Sequence, residues 1–503
     1  MLLIAENPEV FKASKEKEAM NREYESGKST LHPGSSTGSR ISEGLKESLS
    51  EFFFPESIAV IGASPKPDKL SHVLLKNISA SEAQIDIYPV NPKYDEIEGK
   101  KCYSELQDIP SNVDLAVIST PARSVPDLVE DCISKGVQGV VVISSGFSEV
   151  RDEEGRILEE KIKRKISGSE TRLLGPNTLG FYVPSRVIDV MFLEKDIFHR
   201  PSEGGIGLIS QSGSLGVDFL NEIYQRGVGL SLFVGLGNGL DLTEIDLIQY
   251  LSEDEGTNCI SLYIENISDG ERFFDVCKKA AKEKPIIVLK GGKSKKGNRA
   301  ASLHTGKIGG EYRIIKNIFQ QLNLMEADDE VEVLDYSMIF SKLTEPTGDN
   351  ILILTNGGGN GILATDLITR EWEDTLNVPP IPKKMLNEFD EILPDYISTN
   401  NPLDLSAEAS DQEYLNALES GLSSDKYDCV LVGITVNQTI TESLPEKIQA
   451  AAEKYEKPVV IYHKGFSPRS EFLDRLSEQH IPYYPSVRRA VDSLGEYMRW
   501  YHG

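Results

Sequence analysis

One motif comes three times in this chain and constrains its fold more than anything else. A run of aliphatic, often β-branched residues ends in a cluster of small residues and passes into a helical pattern. It stands at Ile58-Ala59-Val60-Ile61-Gly62-Ala63-Ser64, at Gly205-Ile206-Gly207-Leu208-Ile209-Ser210-Gln211-Ser212-Gly213-Ser214, and at Asn350-Ile351-Leu352-Ile353-Leu354-Thr355-Asn356-Gly357-Gly358-Gly359. Such runs are strands buried on both faces, and their alternation with helices implies parallel sheets. Further strands are expected at 85–90, 115–119 and 139–144, then at 231–236, 260–264 and 286–289. A chain of 503 residues is too long for one core and suits about three.

The third unit reads as a copy of the second. Ile209-Ser210-Gln211-Ser212-Gly213-Ser214-Leu215-Gly216 matches Leu354-Thr355-Asn356-Gly357-Gly358-Gly359-Asn360-Gly361 in character, and Leu240-Asp241-Leu242-Thr243 returns as Leu403-Asp404-Leu405-Ser406. Lys284-Pro285 before a β run returns as Lys457-Pro458. The second unit then continues into Arg299-Ala300-Ala301-Ser302-Leu303-His304-Thr305-Gly306-Lys307-Ile308-Gly309-Gly310, whereas the third continues into Phe466-Ser467-Pro468-Arg469. The histidine loop is therefore an addition to the scaffold. Residues 1–50, rich in Lys, Glu, Ser and Gly, read as a mobile leader.

Composition narrows the function. A formal charge of −26 argues against nucleic acid and anionic membrane, which both reward basic patches. The five cysteines are scattered without a CxxC pair, which implies reduced thiols and neither disulfides nor zinc. No run reaches the length of a membrane span, and the expected location is the cytoplasm.

Three places carry chemistry. The first turn, Gly62-Ala63-Ser64, is not GxGxxG, and the second strand ends in Asn91-Pro92-Lys93 without the acidic residue that would hold a ribose diol. A lysine there suits a phosphorylated nucleotide such as coenzyme A better than NAD, with Thr120, Pro121 and Ala122 as small residues for close approach. Ser212, Gly213 and Ser214 at a helix start form an anion cradle. His304, among small residues and glycines at the end of another strand, is free to react, and the pair points to phosphohistidine chemistry.

With these residues in view the chain resembles the α subunit of ADP-forming acyl-CoA synthetases, the acetate–CoA ligase relatives of succinyl-CoA synthetase. The resemblance covers about residues 50–503 and is carried by Val60-Ile61-Gly62-Ala63-Ser64, Tyr88-Pro89-Val90-Asn91-Pro92-Lys93, Leu174-Gly175-Pro176-Asn177, Ile209-Ser210-Gln211-Ser212-Gly213, Leu236-Gly237-Asn238, Leu262-Tyr263-Ile264-Glu265 and His304-Thr305-Gly306. It implies an α/β fold: a Rossmann-like CoA-binding domain (51–190), a flavodoxin-like ligase domain with the phosphohistidine loop (200–345), and a second flavodoxin-like, doubly wound ligase-type domain (349–503). It implies that His304 is phosphorylated and Glu265 orients its imidazole. Ser212, Gly213 and Ser214 would bind phosphate, while Gly62, Ala63, Ser64, Lys93, Thr120, Pro121 and Ala122 would lie along CoA and Asn177 near the acyl group. No metal ligand is expected in this chain. The implied reaction is acyl-CoA + phosphate + ADP ⇌ carboxylic acid + CoA + ATP, with ADP/ATP and Mg²⁺ on an ATP-grasp β subunit in a hetero-oligomer. The sequence departs from the pattern at Leu303, at Lys307-Ile308-Gly309-Gly310 and at Gly239-Leu240. The alternatives are a non-catalytic CoA-binding regulatory protein and, disfavoured by the missing GxGxxG, a dehydrogenase.

Overall fold

The computed structural model describes residues 37–503 except positions 82, 300–310, 395–396, 398–399, 468–469 and 503. Leu45–Gly503 forms one compact unit, and everything that follows concerns it. Its first turns belong to helix α1 (Thr37–Phe53), in which Leu49, Phe52 and Phe53 are fully buried. The expected mobile leader, residues 1–50, therefore ends in a helix whose last turns are packed into the fold. Leu45, Leu49, Phe52 and Phe53 fall on one helical face, a spacing legible in the sequence but obscured by the polar residues between them.

Three mainly parallel sheets follow. The first joins β1 (Ser57–Ile61), β2 (Asp86–Val90), β5 (Leu115–Ile118), β6 (Gly139–Val142) and β7 (Arg172–Leu174) in the order β2-β1-β5-β6-β7, with a short hairpin β3 (Glu96–Ile97) and β4 (Lys100–Lys101) beside it. A parallel bridge between Val90 and Tyr103 adds a vestigial strand outside β2, so the order is Rossmann-like with its third strand reduced to one residue. Helices α2 (Leu70–Ser79), α3 (Val125–Lys135) and α4 (Glu153–Ile166) cover it.

The second sheet runs β14-β13-β12-β10-β11-β8-β9, from β8 (Gly180–Val183), β9 (Ile188–Met191), β10 (Glu203–Ser210), β11 (Leu230–Gly235), β12 (Cys259–Ile264), β13 (Ile286–Lys290) and β14 (Met325–Ala327). Strands β8 and β9 are antiparallel and extend the edge of β11, so residues 180–191, expected with the first domain, pair with the second sheet. Its helices are α5 (Gly213–Gln225), α6 (Glu244–Glu253), α7 (Gly270–Glu283), α8 (Tyr312–Gln321) and α9 (Glu330–Lys342). Helix α9 is not among the elements read from the sequence. Every residue from Val333 to Lys342 is buried, and a helix covered all round shows no amphipathic stripe to read.

The third sheet, β16-β15-β17-β18-β19, uses β15 (Ile351–Thr355), β16 (Leu403–Asp404), β17 (Cys429–Thr435), β18 (Val459–Lys464) and β19 (Tyr483–Tyr484). This is the order of β11-β10-β12-β13-β14, and the repeat extends to side chains. Lys284 Nζ donates to the carbonyls of Leu251 and Asp254, and Lys457 Nζ donates to those of Ser424 and Tyr427. Gln211 Oε1 accepts from the Glu265 N–H at 2.7 Å, as Asn356 Oδ1 accepts from the Thr435 N–H at 2.7 Å. The second and third sheets are joined through α9 and the C-terminal helix α10 (Val487–His502), where Asp335, 2% exposed, receives both Arg226 and Arg489.

Candidate functional site

Parallel strands put their exits at one edge, and the crevice opens where strand order reverses. In the first sheet that reversal lies between β1 and β5, and a cleft of 790 Å³ opens there. Gly62, Ser64, Lys93, Thr120 and Pro121, five of the residues read from the sequence as CoA neighbours, line it. Gly62 has φ +89°, and a Cβ on it would stand 2.5 Å from the Ser119 carbonyl oxygen and 2.8 Å from Thr120 Cγ2. Only glycine lets these two turns close on each other. The Lys93 N–H donates to Asn91 Oδ1 at 3.0 Å, and the Asn91 amide donates to the Ala63 carbonyl at 2.8 Å, which ties the first two strand exits together. Thr120 is held by Ser144, whose hydroxyl accepts from the Thr120 N–H at 3.1 Å and donates to the Thr120 carbonyl at 2.5 Å.

Two expected contacts are placed otherwise. Ala63 is fully buried beneath the turn, and Ala122 opens the 3-10 turn Ala122–Ser124 without lining the cleft. Lys66 and Lys69, which sequence reasoning missed, do line it, so with Lys93 three lysines line one cleft, alongside Glu105 and Asp131. Such a set suits a ligand with several phosphates. The signal was available in two lysines flanking Pro67.

In the second sheet the reversal lies between β10 and β12. Ser212 caps α5, its hydroxyl accepting from the Leu215 N–H at 3.4 Å and lying 3.2 Å from Ser214 Oγ. Gly213 and Ser214 are exposed, and a Cβ on Gly213 would meet nothing within 4 Å. The helix start is therefore an open cradle of N–H and O–H donors beside the positive end of the helix dipole. Across the reversal Glu265 is 7% exposed and its Oε1 accepts from the Tyr263 hydroxyl at 3.3 Å. Burial and the Glu265 charge push the Tyr263 pKa up, so Tyr263 remains a donor.

The residue that joins cradle and carboxylate is Gln211, which sequence reasoning did not single out. Its carbonyl accepts from the N–H groups of Glu265 and Asn266, and its amide donates to the Asn266 carbonyl at 3.0 Å and faces Glu244. Glu244 is buried and accepts from the N–H and hydroxyl of Ser268. Lys290, also buried, donates to the Glu265 carbonyl at 2.6 Å; burial pushes its pKa down against the charges of Glu265 and Glu326. These contacts join residues 24 to 55 positions apart and become visible only in the folded register.

Asn177 connects the two regions. It adopts φ 58°, and with Gln211, Gly237, Asn238 and Asn266 it lines a polar pocket of 220 Å³ next to the cradle. A Cβ on Gly237 would lie 2.3 Å from the Pro176 carbonyl oxygen, so the two loops touch through backbone. Arg151, Glu149 and Glu244 complete the pocket. His304 lies outside the described residues; β13, which leads toward it, ends beside Glu265. Among the described residues no cluster of three or more His, Cys, Asp or Glu is arranged to hold a metal ion, and no helix is long and apolar enough to cross a membrane. All five cysteines are unpaired and buried.

Comparison with known proteins bears on the same regions. Residues 56–184 match the family model described as a CoA binding domain, residues 203–340 that of the succinyl-CoA ligase like flavodoxin domain, and residues 351–503 that of the Ligase-CoA domain. The chain is 36% identical to the α subunit of ADP-forming acetate–CoA ligase I of Pyrococcus furiosus, over 90% of this chain and 98% of that one. It is 34% identical to the α subunit of ligase II of the same organism, over 87% and 94% of the two chains. The solved structure of dinucleotide forming acetyl-coenzyme A synthetase 1 of Ca. Korarchaeum cryptofilum, in complex with phosphate and ADP, superposes with a TM-score of 0.83 at 32% identity, covering 90% of this chain and 97% of that one. With identity sustained over nearly the whole of an α subunit, and a cleft and cradle at two successive switch points, the chain belongs to the α-subunit family of the ADP-forming acetate–CoA ligases.

Proposed function

We propose that the chain, in a hetero-oligomer with an ATP-grasp β subunit, interconverts acyl-CoA, phosphate and ADP with carboxylic acid, CoA and ATP through an acyl phosphate and a phosphorylated His304. The observation that carries the reading is the Gln211 bridge, which sets an open phosphate cradle and the Glu265 carboxylate on opposite lips of one crevice. We assign CoA binding to residues 51–190 less the β8–β9 hairpin, which belongs to the second sheet, the histidine-bearing ligase domain to 200–345 together with that hairpin, and the second ligase-type domain to 349–503.

In this reading CoA lies in the first cleft, its phosphates on Lys66, Lys69 and Lys93, and its thioester reaches Asn177. A phosphate oxygen held at Ser212, Gly213 and Ser214 attacks the thioester carbonyl, the C–S bond breaks and CoA leaves as thiolate. The His304 imidazole then attacks phosphorus and the carboxylate departs. Glu265 accepts a hydrogen bond from the other ring nitrogen, which fixes the tautomer and raises the nucleophilicity of the attacking one. Finally an oxygen of the ADP β-phosphate takes the phosphoryl group on the β subunit, where we place Mg²⁺. Reduced, unpaired cysteines suit a cytoplasmic location.

The test is reconstitution. A short-chain acyl-CoA, phosphate and ADP should yield ATP with the chain and its co-purified partner, and none with the chain alone. Synthesis by the isolated chain would refute the division of labour.

A further inference from the structure

We propose that Glu326 is a positioning residue of the ligase reaction, holding together the two ends of the stretch that carries His304. The inference rests on the role given to His304 above. Glu326 stands in the middle of β14, paired with Val288 of β13. Its Oε1 receives the Tyr312 hydroxyl at 2.5 Å and lies 3.2 Å from Lys293 Nζ. Lys293 follows the end of β13 and Tyr312 opens α8, so one carboxylate oxygen gathers side chains 19 positions apart (312 − 293), with His304 between them. Lys293 is secured further by the Ala327 carbonyl and Asp328 Oδ1, each at 2.8 Å. Burial and the Glu326 charge push the Tyr312 pKa up, so its hydroxyl stays a donor at neutral pH.

The internal repeat shows that the scaffold does not need this arrangement. Lys284-Pro285 corresponds to Lys457-Pro458, an offset of 173 (457 − 284), which places Val288 on Ile461 and Lys293 on Phe466. Val288 pairs with Glu326 and Ile461 with Tyr483, so Tyr483 is the counterpart of Glu326. In the third unit Phe466 stacks on Phe472 at 4.2 Å, and the Tyr483 hydroxyl donates to the Arg226 carbonyl. Both members of the ion pair are missing where the histidine segment is missing. The β18–β19 pair, the equivalent of β13–β14, forms without them, so the carboxylate goes with the segment and not with the sheet.

Fixing both ends limits where a nucleophile between them can be, and a displacement near 1 Å costs about 10²-fold in rate. The experiment uses the full chain in complex with its co-purified partner, as wild type, Glu326→Gln, Glu326→Ala, Tyr312→Phe and the Glu326→Ala/Tyr312→Phe double variant. Glu326→Ala should lower kcat by about 10²-fold and Glu326→Gln by about 10-fold, with KM for the CoA thioester and CoA affinity within about twofold of wild type. Tyr312→Phe should cost about 10-fold alone and almost nothing in the Glu326→Ala background, because the two act through one contact. Values of kcat within about threefold of wild type in all three single variants, or a loss shared equally by CoA affinity, would overturn the proposal. If Glu326→Ala does not fold, Tyr312→Phe, which deletes one hydroxyl, decides by the same criterion. His304→Asn is measured alongside: if it is inactive while the Glu326 and Tyr312 variants are normal, this inference alone fails, and if it is active, the assignment beneath it fails.

Discussion

Gly62→Ala perturbs the CoA cleft at the point where its two walls meet. The new methyl would sit 2.5 Å from the Ser119 carbonyl oxygen, where ordinary contact begins near 3.4 Å, so the two turns must part by 0.9 Å (3.4 − 2.5). The backbone at φ +89° adds strain for any L side chain, on the order of 1–2 kcal/mol. Together these should destabilise the chain by roughly 2–3 kcal/mol, or move Thr120 and Pro121 outward and weaken CoA binding by about tenfold or more. Gly213→Ala is the matched control, since its Cβ meets nothing within 4 Å and its φ is not in the left-handed region. It should keep stability and CoA affinity while crowding the phosphate cradle and slowing turnover. Urea denaturation and calorimetric titration with CoA read both variants. A Gly62→Ala chain with wild-type stability and wild-type CoA affinity would refute the steric reasoning.

Lys93→Ala should weaken CoA binding by on the order of 1.5–3 kcal/mol through one lost charge-assisted contact, measurable by the same titration, with a shallower salt dependence. Asp335→Ala should destabilise the folded chain by about 3–5 kcal/mol in urea denaturation, because Arg226 and Arg489 are left without their shared buried anion. Burial pushes the Glu496 pKa up to about 7, with Asp492 and Glu332 adding to it and Arg499 opposing. A carboxyl raised in the folded state contributes most below its unfolded pKa and loses that contribution as pH rises through about 7. Glu496→Gln should therefore be more stable than wild type at pH 8, by roughly 1–3 kcal/mol, and the difference should vanish near pH 4.

Much of the architecture is legible from period and punctuation. Buried runs of five or six residues that pass into small residues mark β1, β10 and β15, and the recurrence of Lys284-Pro285 at 457–458 announces the repeat whose lysines make equivalent bonds. Helix α9 escapes because burial on all sides erases the amphipathic stripe, and the end of α1 because its apolar stripe lies in a polar, glycine-containing segment. At the site, Ser212, Glu265 and Asn177 were legible as strand-end residues, each within a few positions of a recognisable turn. Gln211, Lys290 and Glu326 were not, since each acts on residues brought to it by strand register, and register between parallel strands is set by the whole sheet. Lys66 and Lys69 could have been found by asking which charges flank the first turn.

The measurement that bears most directly on the central claim is the position of the transferred phosphoryl group. The chain and its co-purified partner are incubated with γ-labelled ATP and Mg²⁺, and the labelled residue is mapped by peptide mass spectrometry under alkaline conditions. The account predicts one acid-labile, base-stable label on His304, discharged by ADP or by carboxylic acid plus CoA. It should be absent from His304→Asn, which still binds CoA, and slow to form in Glu265→Gln. Label that persists in His304→Asn, or full turnover by that variant, would contradict it.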